Sequence, residues 1–189
     1  MDEESIIRLI DKTIKEIWVN EVKRDYEEDY LLKEDSLKNS LYYHLRSKLE
    51  AVLRENNLRI FPEYYFPELK YRADLAIVRM DVESENYYLK DRVKEVMAIF
   101  ELKYVNASNN DEATEQWIMD DIRKFKRYIQ EGNIDAQLYF AVIYENQRAT
   151  LNWMDKRSSN HWAKGRVTEL DAAIVGDEMQ FEVHSYNEL

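Results

Sequence analysis

Met97-Ala98-Ile99-Phe100-Glu101-Leu102-Lys103 runs through four apolar residues and closes on two opposite charges two positions apart. Side chains of a β-strand alternate between faces, so a strand here projects Glu101 and Lys103 to the same side, about 7 Å apart. The triplet Glu-x-Lys is a weak signal alone, because it occurs three times, at Glu21/Lys23, Glu68/Lys70 and Glu101/Lys103. The first falls on a predicted helix, where positions i and i+2 diverge, and the second lies in a polar connection after Pro67. Only the third ends an apolar strand.

Upstream, Tyr71-Arg72-Ala73-Asp74-Leu75-Ala76-Ile77-Val78 is a second apolar strand with one carboxylate, Asp74, between Ala73 and Leu75. A lone carboxylate in such a strand is costly unless it is paired or bound to a cation. A buried ion pair between Asp74 and Lys103 would meet that need, but it leaves Glu101 without a role.

The flanking segments place these two strands. Ile6, Ile10, Ile14 and Ile17, with Ile7 and Trp18 one step round, predict an amphipathic helix over 3–24. Residues 25–29 read as a loop or frayed end. A second helix is expected over 33–56, with Leu37, Leu41, Leu45, Leu49, Val52 and Leu53 on its apolar face and Asn56-Asn57 as its stop. Residues 59–66 and 71–80 read as an antiparallel strand pair, 81–92 as an exposed hairpin loop, and 93–104 as the strand that carries Glu101.

After a Ser/Asn-rich turn at 106–110, Ile118, Ile122, Phe125 and Ile129 predict a helix that stops at Gly132-Asn133. An apolar strand follows at 137–144, with shorter strands expected at 149–154, 168–175 and 179–185 as a small C-terminal β-rich tail. A strand, a crossover helix and a further apolar strand imply a parallel pair within a mixed sheet, so the fold class is α/β.

Composition agrees. The 189 residues, 45% of them apolar, suit a single domain over 1–189. Three glycines and two prolines are too few for a turn-rich sandwich or barrel. The absence of cysteine excludes disulfides, thiolate metal sites and a thiol nucleophile. An acidic amino terminus unlike a signal peptide and the lack of a membrane-length apolar stretch lead us to expect a cytoplasmic chain with no membrane partner.

The net charge of −11 is concentrated at the ends: residues 1–30 carry ten acids and five bases, residues 167–189 carry six acids and no base, and the stretch between sums to zero. Within that neutral stretch, Arg123, Lys124, Lys126 and Arg127 form one basic cluster and Lys156, Arg157, Lys164 and Arg166 another. Either cluster suits a phosphate backbone, or is simply a solvated face.

A divalent cation such as Mg²⁺ is a hard acid that takes oxygen ligands, often one or two protein carboxylates. Asp74 and Glu101 supply those carboxylates, and Lys103 lies where it would orient or deprotonate a water, or neutralise a phosphate. On these residues the chain resembles the PD-(D/E)XK, or restriction-endonuclease-like, nuclease superfamily. That family has a core of helix, three strands, helix and strand, with an Asp on the second strand and Glu-x-Lys on the third. Here these are Asp74 and Glu101-Leu102-Lys103, separated by 26 residues, and the resemblance covers about residues 33–145. The family's Pro before the Asp is replaced by Ala73.

The resemblance implies a mixed central sheet flanked by helices, with an extra N-terminal helix here, and Mg²⁺- or Mn²⁺-dependent hydrolysis of DNA or RNA, DNA being the expected partner. It also implies the Leu102 carbonyl as a further metal ligand. Relatives often carry an acid on the first core helix. Glu34, three residues before Leu37 and seven before Leu41, has that spacing, with Asp35 as second choice; the bland alternative is a helix-start carboxylate favoured by the helix dipole. On the helix after the third strand, relatives place a Lys or Gln toward phosphate, which makes Lys124 a candidate; Asp121 and Tyr128 adjoin the same buried stripe. Arg72 and Glu63 are further candidates to line the site.

The histidines, His44, His161 and His184, are scattered without ligand spacing. A homodimer is left open. The alternatives to a nuclease are a catalytically silent nuclease-fold module that binds protein or nucleic acid, and an acidic mimic of DNA.

Overall fold

Six strands form one mixed sheet whose spatial order follows the chain, β1 to β6. The structure, a computed structural model, describes residues 2–106, 111–154 and 161–187, with the backbone alone for 111–114. Strands β1 (Leu58–Phe66) and β2 (Tyr71–Met80) form the expected antiparallel hairpin, with Phe66 opposite Tyr71. Strand β3 (Val93–Val105) runs antiparallel to β2, and their register begins with Leu75 opposite Phe100. The long helix Asp111–Gln130, here α5, crosses over to β4 (Gln137–Gln147), which is parallel to β3 with Glu101 beside Phe140.

The C-terminal strands are not an appended tail. Strand β5 (Val167–Val175) pairs parallel with β4, and β6 (Glu178–Ser185) pairs antiparallel with β5, so both extend the central sheet. The β5–β6 hairpin turns on Gly176, whose φ of 66° at the first central position is one that L side chains rarely adopt.

Both sheet faces are covered, which is why β4 reads as a continuous apolar run rather than an alternating one. One face carries α1 (Glu3–Ile17), a π-helical turn (Trp18–Val22), α2 (Lys23–Glu27), α3 (Glu34–Lys48) and α4 (Glu50–Glu55). Their buried residues, among them Ile14, Trp18, Leu37, Leu41 and Leu45, share a core with Leu75, Phe100, Leu102, Tyr139 and Leu170. On the other face, Ile118, Phe125 and Tyr128 of α5 meet Ile99, Phe140 and Val142. Leu37, Leu41 and Leu45 are fully buried, each contributing about 2 kcal/mol, and they fix the helix that begins at Glu34.

Several expectations shift. The N-terminal helix continues through the π-helical turn to Glu27, and Asp25 is not in a loop: its carboxylate accepts a hydrogen bond from Ser40 at 2.7 Å and pairs with His44 at 2.8 Å. The helix expected over 33–56 breaks at Leu49, where φ −97° and ψ 8° leave the helical region and redirect Leu53 toward the core. Residues 81–92 end in a 3-10 turn, Leu89–Arg92. Residues 149–154 form no strand. The Glu169 carboxylate accepts the amides of Trp153 and Met154 at 3.1 and 2.8 Å, taking the place of a strand partner. The turn at 107–110, and Lys156 and Arg157, lie outside the described residues. Among the described residues no helix is long and apolar enough to cross a membrane.

Candidate active site

Asp74 and Glu101 meet where β2 and β3 part. Beyond Leu75 and Phe100 the ladder gives way to a side-chain contact, in which Asp74 Oδ2 accepts the Leu102 amide at 2.8 Å. Asp74 therefore holds the backbone between Glu101 and Lys103. Its other oxygen, Oδ1, lies 3.8 Å from Lys38 Nζ, and Lys38 also pairs with Glu63.

Alternation along β3 turns Glu101 toward α5. There Asp121, Lys124 and Tyr128, spaced by three and four residues on one helix face, meet it. Tyr128 donates to Glu101 Oε1 at 2.9 Å, and Lys124 Nζ lies 3.2 Å from Glu101 Oε2 and 2.7 Å from Asp121 Oδ1. Lys103 reaches across the strand end between two acids, 3.0 Å from Asp121 Oδ2 and 3.3 Å from Glu34 Oε2. The contact with Asp121 is an ion pair without hydrogen-bond alignment, since Asp121 Oδ2 is buried and accepts no hydrogen bond.

Burial pushes the Glu101 carboxyl up to about 8; the charges of Asp121 and Asp74 add to the rise, while Lys124 and Tyr128 oppose it. Burial also raises Asp74, against the Leu102 amide and the nearby lysines. Burial works against the charges of Lys103 and Lys124, but their carboxylate neighbours prevail, so both stay above the ordinary lysine value. Tyr128, buried beside Glu101, keeps its proton firmly. Glu34, Glu63, Asp74, Glu101 and Asp121 face Lys38, Lys103 and Lys124; with Glu101 holding its proton, four charged carboxylates against three ammoniums leave one negative charge, and a second when Glu101 ionises.

The structure thus brings together Asp74, Glu101, Lys103, Glu34 and Lys124. Glu34 faces the site, whereas Asp35 is exposed and pairs with Lys33 at 3.0 Å. Leu102 takes part through its amide. Lys124 is turned inward onto Glu101 and Asp121 rather than outward. Arg72 is exposed with its guanidinium over the Tyr65 ring, 5.8 Å from the centroid, and Glu63 joins the network through Lys38.

The basic cluster on α5 divides in the same way. Arg127 pairs with Glu131 at 2.8 Å and lies over Tyr71, and Arg123 pairs with Asp120. Sequence reasoning gave no place to Lys38 and no role to Asp121. The available signals were the i,i+4 spacing of Glu34 and Lys38 and the i,i+3 spacing of Asp121 and Lys124.

The donor chemistry fits a hard divalent cation. Asp74 and Glu101 offer carboxylate oxygens in a partly buried cluster whose acids outnumber its lysines five to three. Among the described residues no three acidic or imidazole groups are already gathered at ligand distances. No family model, no curated protein and no solved structure matches this chain.

Proposed function

We propose that the chain is a metal-dependent nuclease of the PD-(D/E)XK type. The observation that carries this reading is the convergence of Asp74, Glu101 and Lys103 at one strand end, with Glu34 from α3 closing the same cluster. Asp74 and Glu101 would hold Mg²⁺ or Mn²⁺, with the Leu102 carbonyl as a further oxygen donor. When bound, the cation polarises the phosphoryl group and supplies a water of lowered pKa.

The chain's own residues complete the chemistry. Lys103, held protonated between Asp121 and Glu34, serves as a fixed positive charge toward a scissile phosphate rather than as a base. Asp121 positions that ammonium and, through Lys124, also orients Glu101. Asp74 fixes the strand end by accepting the Leu102 amide. Glu101 is protonated at neutral pH in the metal-free protein, so taking up a cation requires that carboxyl to release its proton.

The test is cleavage of duplex DNA, single-stranded DNA and RNA by the purified chain with Mg²⁺ or Mn²⁺. Metal-dependent cleavage that is lost in Asp74→Asn and in Lys103→Met is the expected result. Cleavage that survives both substitutions would overturn the site.

One observation favours a second reading: each of the three lysines is already engaged by carboxylates, so the cluster is largely neutralised from within. A silent nuclease-fold binding module would look like this. Absence of both cleavage and Mn²⁺ binding heat in titration calorimetry selects it.

A further inference from the structure

A second cluster of ionisable groups lies on β5 and β6, outside the site described above. The two strands place Glu169 opposite His184 and Asp171 opposite Glu182, four titratable side chains in a two-by-two grid on one sheet face. Glu169 is accounted for structurally, accepting from Trp153 N, Met154 N and the Tyr186 hydroxyl, the last at 2.7 Å. Asp171 is not. It is 0% exposed, and among the described residues neither of its carboxylate oxygens finds a hydrogen-bond donor.

His184 Nε2, also without a hydrogen bond, lies 3.8 Å from Asp171 Oδ2 and 3.4 Å from Glu182 Oε2. Arg148 is the cation whose field reaches Glu169 and Asp171, but its guanidinium donates to the Thr150 and Asn152 carbonyls and lies over the Trp153 ring.

A buried carboxylate with no donor is costly, and such groups mark the place of an ion or a water. Glu169, Asp171 and Glu182 outnumber the Arg148 guanidinium three to one, so a divalent cation that displaces the proton of buried Asp171 meets an excess of carboxylate. Donors that share a cation at about 2.1 Å stand roughly 3 to 3.5 Å apart, close to the spacings seen here. Full coordination needs a further inward movement of the side chains, since the three groups do not already converge at ligand distance. His184 and Glu182, with side chains 29% and 48% exposed, have room to close onto Asp171, and a cavity of about 300 Å³ beside them gives access. An imidazole with two carboxylates suits a first-row transition metal better than Mg²⁺ or Ca²⁺.

We propose that Asp171, Glu182 and His184 form a second cation site, for Zn²⁺, independent of Asp74 and Glu101. The site ties β6 to β5 beneath the segment that follows β4.

The experiment uses the full chain carrying Asp74→Asn and Glu101→Gln, which removes the two carboxyls proposed as ligands of the first site. Zn²⁺ is titrated by calorimetry, and thermal midpoints are taken in Zn²⁺ and in EDTA. One Zn²⁺ per chain is expected, with a higher midpoint in Zn²⁺ than in EDTA. Adding Asp171→Asn or His184→Gln should weaken Zn²⁺ binding by about tenfold or more and remove the midpoint rise. The EDTA melt of each variant reports whether it folds, and Asp171→Asn, which replaces a buried carboxyl by an amide of the same shape, is expected to melt no lower than its parent. Zn²⁺ affinity unchanged by either substitution, or no Zn²⁺ bound by the parent, would overturn the site and leave Asp171 as a protonated buried carboxyl.

Discussion

Replacing Glu101 with Gln should change how stability depends on pH more than it changes stability itself. In the folded, metal-free chain the carboxyl is pushed up to about 8, against an ordinary 4.5 when unfolded. Between these values the folded chain holds a proton that the unfolded chain has released. Folding stability therefore falls as pH rises through that window and is flat below 4.5 and above 8. At about 1.4 kcal/mol per pH unit, the gap amounts to about 5 kcal/mol.

Gln carries no charge at any pH. Its amide oxygen still accepts from Tyr128, while its amide nitrogen faces Lys124, a mismatch that is constant because Lys124 stays protonated across the range. Glu169 and Asp171 titrate identically in both proteins and cancel. The stability of Glu101→Gln relative to the native chain should therefore climb by about 4 kcal/mol from pH 5 to pH 9, the part of that gap that the range covers. The assay is urea unfolding in EDTA, followed by the fluorescence of the fully buried Trp18 and the other tryptophans. A difference constant to within about 1 kcal/mol over that range would show that Glu101 is not the buried acid described here.

Other outcomes follow from the same contacts. Because Glu101 must lose its proton to take a cation, Mn²⁺ affinity should rise between pH 6 and pH 8 by up to about tenfold per unit, and a flat profile in calorimetry would refute the coupling. Lys103→Met should reduce cleavage by at least about a hundredfold at unchanged circular dichroism, since Asp121 keeps Lys124 as a partner; native activity would sink the role of Lys103. Tyr139→Phe removes a buried donor at 2.9 Å from Asp11, which retains Asn187 and Lys15, so unfolding in urea should show a loss of about 1 to 2 kcal/mol, and an unchanged midpoint would argue against that contact.

What was legible in the sequence is what depends on periodicity. The alternation that sets Glu101 and Lys103 on one face, the apolar stripe of α3 that fixes Glu34, and the helix between two apolar strands all follow from spacing within one element. Contacts between elements did not. Lys38 sits on an amphipathic helix like any solvated lysine, and the packing of that helix on the sheet, Leu37 and Leu41 sharing a core with Leu75, brings it near Asp74. Lys124 looks in sequence like a phosphate contact, whereas burial and two carboxylates turn it inward. The strand expected at 149–154 has β-type composition, but the side chain of Glu169 takes its amides and no ladder forms. His184 has Glu182 two residues before it on the same strand, but its other neighbour, Asp171, is supplied across strands by the register of β5 on β6, which spacing along the chain does not show.

The mixed cluster around Glu101 is not explained as a stabilising device. Ion pairs taken from water lose in desolvation about what they gain in attraction, and well-packed apolar residues of similar volume are usually as stable or better. Here the cost goes further, since burial, with the charges of Asp121 and Asp74 adding to it, keeps one carboxyl, Glu101, protonated near neutrality. An arrangement that costs stability and stops short of neutrality is suited to a charged ligand that completes it. On the proposed reading a cation takes up the excess, and Lys103, held between Asp121 and Glu34, presents its charge to an anion. A purely structural cluster would have no need of either. The proton release that accompanies Mn²⁺ uptake separates the two accounts: a structural cluster takes up no cation and releases no proton, and a functional one must do both together.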